Sequence, residues 1–119
     1  MTYAVYLFRF PDGEIKQPDF DTFDMARLGP FKDMEPILQS VFPAFTWLRE
    51  ADGWVSRPDG VPAISITAAP EDPNIVLCMY ISNCDYPELH AISSALDLLI
   101  WNPENERFFD PLTVSYRDP

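Results

Sequence analysis

The chain has 119 residues, with 19 acidic and 8 basic side chains and a formal net charge of −11. This length fits one domain, which buries enough surface to fold without a disulfide or a metal. The charge repels nucleic-acid phosphates and anionic membranes, so it disfavours binding to either and favours a basic protein partner.

The acidic residues are unevenly distributed along the chain. From residue 58 to residue 106 there are eight acids and no Lys or Arg, so this stretch contributes −8 of the net −11. A second acidic segment, residues 12–24, has five acids and one base, Lys16, and is predicted to be a loop. A simpler interpretation of the acidity also stays open, namely that it keeps a cytoplasmic protein soluble and has no role in binding.

The first half of the chain predicts one strand and one helix. Residues 2–10 are rich in Tyr, Val and Phe and stop before Asp12-Gly13, as a strand would. Residues 33–43 predict a helix with Asp33 as N-cap, Pro36 in the first turn and Pro43 after its end. Met34 and Leu38 fall on its apolar face.

The second half predicts five strands and a second helix. Residues 53–55, 63–68 and 74–82 read as three strands, 85–96 as a helix with Asp85 near its N-cap, and 98–101 with 107–109 as a hairpin. The third strand is apolar on both faces, so it is predicted to be a central strand covered on both sides, or a strand whose second face meets a partner. Strict alternation would point Leu77, Met79 and Ile81 one way and Val76, Cys78 and Tyr80 the other. The chain, residues 1–119, is thus predicted to be a single α+β domain with one mostly antiparallel sheet of four to six strands and two helices, in the order β-α-β-β-β-α-β-β.

No set of residues in the sequence predicts catalysis, a metal site or a cofactor. His90, Ser94 and Asp97 would project in parallel from one helix and lack the turn that exposes a nucleophile. His90 is the only histidine, which excludes zinc sites with several imidazoles. Residues 19–24 match a calcium loop at its first and third positions but have Asp24 where glycine is needed. Cys78 and Cys84 are predicted to be buried free thiols.

The region from residue 42 to residue 111 resembles small acidic bacterial immunity proteins of toxin–immunity pairs. The resemblance is carried by Phe42-Pro43 with Trp47, by Gly53-Trp54, by the paired strands 64–67 and 75–80, and by the closing helix and hairpin that end in Phe108-Phe109-Asp110-Pro111. These are structural signatures and not active-site residues. The resemblance therefore implies an inhibitor fold and function, but it assigns no role to any single residue.

We accordingly predict a non-enzymatic, cytoplasmic immunity protein that neutralises a basic toxin domain through an acidic surface. No basic leader precedes the first strand, and no apolar run reaches the ~18 residues of a membrane span. The predicted contact acids are Asp59, Glu71, Asp72, Asp85 and Glu88, extended by Asp19, Asp21 and Asp24, with Trp54, Tyr86 and Trp101 as exposed aromatic anchors. A nucleic-acid mimic that blocks a DNA-binding or defence protein, and an adaptor or binding module, remain alternatives.

Overall fold

Two helices and nine strands form the part of the chain that the computed structural model describes, residues 4–13, 15–22, 24–56 and 62–119. In chain order they are β1 (Ala4–Phe8), β2 (Gly29–Pro30), α1 (Phe31–Val41), β3 (Leu48–Glu50), β4 (Gly53–Ser56), β5 (Ala63–Ala69), β6 (Asp72–Ser82), α2 (Tyr86–Leu96), β7 (Leu99–Asn102), β8 (Arg107–Asp110) and β9 (Ser115–Arg117).

The strands form one antiparallel sheet in the order β3-β4-β5-β6-β1-β7-β8-β9, with β2 paired to β6 beside this path. The predicted α+β class, with two helices and a mostly antiparallel sheet, is confirmed. The predicted number of strands is too small, because β2, β3 and β9 were missed. These strands have two or three residues each and bury no side chain fully, so they leave no alternating pattern in the sequence.

Helix α1 begins two residues earlier than predicted. Pro30 is its N-cap, so Asp33 lies in the first turn and Pro36 lies inside the helix. The helix ends where the Phe42 amide donates to the Leu38 carbonyl at 2.8 Å, immediately before Pro43. Met34 and Leu38 are buried, as their spacing predicted.

Helix α2 follows Asp85, as predicted, and has Pro87 in its first turn. It ends at Asp97, which adopts the left-handed conformation with φ 54°, and the Leu98 amide donates to the Ser93 carbonyl at 2.9 Å. Arg9, just after β1, donates from Nη2 to the Leu96 carbonyl at 2.8 Å and from Nε to the Asp97 carbonyl at 3.1 Å. These bonds satisfy terminal carbonyls and fix α2 to the end of β1.

The sheet has a core on each face. The helix-side core lies beneath α1 and α2 and includes Leu7, Leu38, Met79 and Leu89. The loop-side core lies on the opposite face and includes Phe8, Phe10, Leu77, Cys78, Trp101 and Phe108, with Met25 and Phe20 from the loop that follows β1. That loop is held by the Ala26 amide, which donates to the Arg9 carbonyl at 2.7 Å, and by the Leu28 amide, which donates to the Val76 carbonyl at 2.8 Å.

A β-bulge in β6 overturns the strict alternation predicted for this strand. Thr67 pairs with Cys78 but Ala68 pairs with Val76, so Leu77 is an extra residue in β6. Leu77 and Cys78 therefore share the loop-side face, while Val76 and Met79 share the helix side. One inserted residue reverses the orientation of every side chain beyond it, because side chains alternate with a period of two. The central position of β6, between β5 and β1, is as predicted.

Within the described ranges, neither helix is long and apolar enough to cross a lipid bilayer.

Candidate functional site

A cleft of about 490 Å³ lies where the end of α1 meets the start of α2. Its lining is apolar from the α1 side and polar from the α2 side, and consists of Val41, Phe42, Pro43, Ala44, Phe45, Pro62, Asn83, Asp85 and Glu88. The Phe42 and Phe45 rings stack with their centroids 4.5 Å apart. Both rings are buried in the helix-side core, so the accessible surface of the cleft combines Val41, Pro43 and Ala44 with two carboxylates.

Hydrogen bonds fix the conformation of the turn after α1, which lines the cleft. The Phe45 amide donates to the Phe42 carbonyl at 3.1 Å. From inside α1, the Gln39 side-chain amide donates to the Pro43 carbonyl at 2.7 Å and to the Phe45 carbonyl at 3.3 Å. The turn is thus tied back to the helix that precedes it, which limits the rearrangement that binding would require.

The two carboxylates of the cleft are available for a ligand. Asp85 is the N-cap of α2, yet its side chain makes no capping hydrogen bond. Asp85 is exposed and Glu88 half-buried. In the described part of the chain neither forms an ion pair, and the cleft lining contains no Lys or Arg.

The negative charge of the cleft affects the pKa of the neighbouring Cys84. Its pKa is raised to about 12, first by burial and then by the negative charges of Glu88 and Asp85. Both carboxylates therefore act on the same buried atom, as expected if their charges converge and are not compensated by a nearby base.

At the opposite end of β6 Glu71 is paired with a base, as are Asp12 and Asp24 near the loop after β1. Arg27 donates to both carboxylate oxygens of Glu71, at 2.7 and 2.9 Å, and this hydrogen bonding lowers the pKa of Glu71. Lys16 lies 3.6 Å from Asp12 and 3.6 Å from Asp24. The charge of Asp24 also helps to raise the pKa of Arg27, so acids and bases alternate in this region.

Other predicted contact acids accept hydrogen bonds from backbone amides close by in the chain. Asp72 Oδ1 accepts from the Asn74 amide at 2.9 Å. Asp19 Oδ1 accepts from the amides of Asp21 and Thr22 at 3.0 and 3.3 Å. Such local bonds are typical of turns and engage part of the carboxylate without a partner molecule.

The structure does not gather the predicted acids into one patch. Glu71 and Asp72 lie at the start of β6 and Asp85 and Glu88 beyond its end. Asp72 pairs with Ala69 and Ser82 with Ala63, so the ends of β6 are separated by six residues of β5, which is about 20 Å at ~3.3 Å per residue. The predicted strand over residues 74–82 already separated the two pairs in the sequence, so a single patch did not follow from it. Asp59, the remaining predicted contact acid, lies outside the described residues.

Of the three predicted aromatic anchors, only Tyr86 has its side chain substantially exposed, at 39 %. Trp101 is 3 % exposed, which corrects the prediction that it lies near the surface. Strand β7 is flanked by β1 and β8, and Trp101 packs on Phe108 in the loop-side core. Trp54 is half-buried with both faces covered, by the Phe31 ring at 4.4 Å and by the Arg49 guanidinium at 4.2 Å.

His90 and Ser94 lie in a second cavity of about 500 Å³, which also has Asp97, Asp110 and Arg117 in its lining. Ser94 Oγ lies 3.4 Å from His90 Nε2. A hydrolytic triad needs a carboxylate that orients the histidine through its other nitrogen. Asp110 instead accepts from the Leu112 amide at 2.9 Å, which is the main cause of its lowered pKa. The described residues contain no group of three His, Cys, Asp or Glu that could hold a metal ion.

The cysteines lie on opposite faces of the sheet. Cys78 belongs to the loop-side core and Cys84 to the helix-side core, and both are buried free thiols. Burial raises the pKa of each thiol. The sheet itself therefore separates the two sulfur atoms.

The sequence singled out Asp85, Tyr86 and Glu88 but missed the apolar half of the cleft. Phe42 was placed at the end of the first predicted helix, and no role was predicted for Phe45 or Asn83. Only the packing of α1 beside α2 brings these residues to one place. Phe42 and Phe45 follow Leu38 of the predicted helix face by four and seven residues, and this continued helical spacing was the available signal. No protein-family model, curated protein or solved structure matches the chain.

Proposed function

We propose that this chain is an immunity-type protein that binds a basic toxin domain and neutralises it. The observation that carries the proposal is the cleft between α1 and α2, with its apolar wall and its two carboxylates free of ion pairs within the described chain. The proposal also draws on the net charge of −11.

The cleft suits a Lys or Arg side chain of the partner. The aliphatic part of such a side chain would pack along Val41, Pro43 and Ala44, and its charge would lie between Asp85 and Glu88. Tyr86 would then supply the amphipathic contact that is frequent at the centre of protein interfaces.

The overall charge would act at an earlier stage of binding. A strongly acidic molecule attracts a basic partner over distances comparable to the Debye length, about 8 Å at physiological ionic strength. Long-range attraction raises the rate of encounter, and close contacts at the cleft would slow dissociation. Toxins that act on nucleic acids often carry basic clefts, and an acidic protein seated there would occlude the substrate.

The test is a protection experiment in a bacterial host. The product of the reading frame adjacent to this chain's own is expressed alone and together with the chain, and growth is followed. We expect the chain to restore growth and the double variant Asp85→Asn with Glu88→Gln to restore it much less.

The matched control is Glu71→Gln with Asp72→Asn, which removes the same charge at the other end of β6 and should protect almost as well as the unmodified chain. Absence of protection by the unmodified chain would contradict the proposed function. Equal loss with both double variants would contradict the assignment of the cleft.

A further inference from the structure

Two arginine contacts inside this protein show which features hold a guanidinium group. The Arg49 guanidinium lies over the Trp54 ring, 4.2 Å from its centroid. Arg27 donates to both oxygens of a single carboxylate, that of Glu71, at 2.7 and 2.9 Å. An aromatic face and the paired oxygens of one carboxylate are the features that favour arginine over lysine. They provide an internal reference for the cleft between α1 and α2.

The described lining of the cleft lacks an open aromatic face. The Phe42 and Phe45 rings are only 4 % and 5 % exposed, and they stack on each other within the helix-side core. The surface that a ligand meets includes the aliphatic side chains of Val41, Pro43 and Ala44. The four methylenes of a lysine side chain are complementary to such a wall, whereas a planar guanidinium has no ring there to stack on.

The two carboxylates of the cleft lie at the start of α2 but do not cap the helix. Asp85 is the N-cap and Glu88 is the third helical residue, which are the two positions of a capping box. In a capping box each of these side chains accepts a hydrogen bond from the backbone amide of the other residue. Within the described chain neither carboxylate accepts such a bond. Both are therefore left to accept hydrogen bonds from another molecule.

The placement of these carboxylates favours an ammonium group. Side chains three residues apart on a helix have Cβ atoms ~5–6 Å apart, so one small ligand can contact both. An ammonium has three N–H donors that diverge from one atom and can reach two separate carboxylates, whereas the guanidinium fork fits the two oxygens of one carboxylate. Asp85 is exposed, so a bound ammonium keeps part of its hydration and the cost of desolvation is small.

We infer that the cleft binds a lysine side chain in preference to an arginine, through the N–H donors of the ammonium group. The inference rests on the proposed function for the source of this lysine, which is a residue of the basic partner domain. The preference itself belongs to the cleft, so it can be measured without the partner. Trimethylation of the lysine keeps its charge but removes every N–H donor, and it should therefore weaken binding.

Amide NMR of the isotopically labelled chain, titrated with blocked amino acids, tests the inference. The probes are the Nα-acetyl N-methylamides of lysine, arginine and Nε-trimethyllysine, at constant ionic strength. All three carry one positive charge, so their general attraction to the acidic chain is the same. From the shifts of the Asn83, Cys84 and Glu88 amides, we expect a dissociation constant on the order of 10–100 mM for lysine, about threefold or more below those of the other two probes.

The double variant Asp85→Asn with Glu88→Gln should abolish the preference. Its matched control, Glu71→Gln with Asp72→Asn, should keep it, because these residues lie at the other end of β6. Equal binding of lysine and arginine, binding of the trimethyllysine probe as tight as that of lysine, or no shift at the cleft up to ~200 mM probe would overturn the inference. None of these results would alter the outcome of the protection experiment. A chain that prefers lysine but gives no protection would contradict the proposed function alone.

Discussion

At the scale of single residues, Cys84 couples the cleft to the core of the protein. Its Sγ lies 3.4 Å from the Asp85 carbonyl, and its side chain belongs to the helix-side core. Burial, and after it the charges of Glu88 and Asp85, raise its pKa to about 12. An unfolded chain exposes the thiol to water, where its pKa is ~8.5.

This difference predicts how stability depends on pH. Below about pH 8.5 the thiol keeps its proton in both states, so it contributes no pH dependence. Above that pH only the unfolded state releases the proton, and the free energy of unfolding falls by up to about 1.4 kcal/mol per pH unit until the folded thiol ionises. Urea unfolding from about pH 7.5 to about pH 10 measures this slope, and Cys84→Ala should make it shallower.

The comparison concerns slopes and not absolute stabilities, because Cys84→Ala also removes buried volume. Cys78 remains in both proteins and supplies a common background from its own raised pKa. Parallel pH profiles for the variant and the unmodified chain would show that Cys84 does not hold its proton as argued.

At the scale of elements, β4 and β5 approach each other closely at Gly53. Gly53 pairs with Thr67, and a Cβ on Gly53 would lie 1.8 Å from the Ile66 carbonyl oxygen. Neither strand can move away at a low cost in free energy, because the Gly53 backbone and the Ile66 carbonyl both belong to paired strands. The glycine therefore sets the distance between the two strands.

Gly53→Ala should consequently destabilise the fold by about 3 kcal/mol or more, as expected when the backbone must shift in a packed sheet. Gly13→Ala is the matched control, because Gly13 has φ +72° but open space around the added methyl group, so only about 1 kcal/mol is expected. Thermal or urea unfolding measures both. Equal losses in the two variants would mean that strain, and not the close approach at Gly53, determines the effect.

Elements with a strong periodic pattern were predictable from the sequence. Helix α2, with Asp85 before it and Pro87 in its first turn, and the alternating strand β5 lie close to where the sequence placed them. The short edge strands were not predictable, since β3 and β9 have only exposed side chains. The bulge at Leu77 was hidden because β6 is apolar at every nearby position, so a shift of one residue leaves the pattern unchanged.

The candidate site was predictable only in part, because its two halves are far apart in the sequence. Asp85, Tyr86 and Glu88 stand out in the sequence because they open a helix within a stretch free of bases. Their apolar counterparts, Phe42 and Phe45, are more than 35 residues away in the chain and look like ordinary core residues. Nor can composition show that Glu71 is paired with Arg27, since 44 residues separate them.

At the scale of the whole molecule, the described structure divides the negative charge into two kinds of surface. Around Glu71 and the loop after β1, Lys16 and Arg27 compensate the acids. Around the cleft, Asp85 and Glu88 have no base in the lining. Uncompensated carboxylates contribute most to the attraction of a basic partner, so the cleft and not the more acidic loop should direct encounter.

The most direct test of this account is the association rate constant with the proposed partner, the product of the adjacent reading frame, measured by stopped-flow fluorescence over a range of salt concentrations. For the unmodified chain the rate constant should fall steeply as salt increases. Asp85→Asn with Glu88→Gln should lower it about tenfold at low salt and flatten its salt dependence, while Glu71→Gln with Asp72→Asn changes it little. Rate constants that do not depend on salt, or that fall equally with both double variants, would contradict the account.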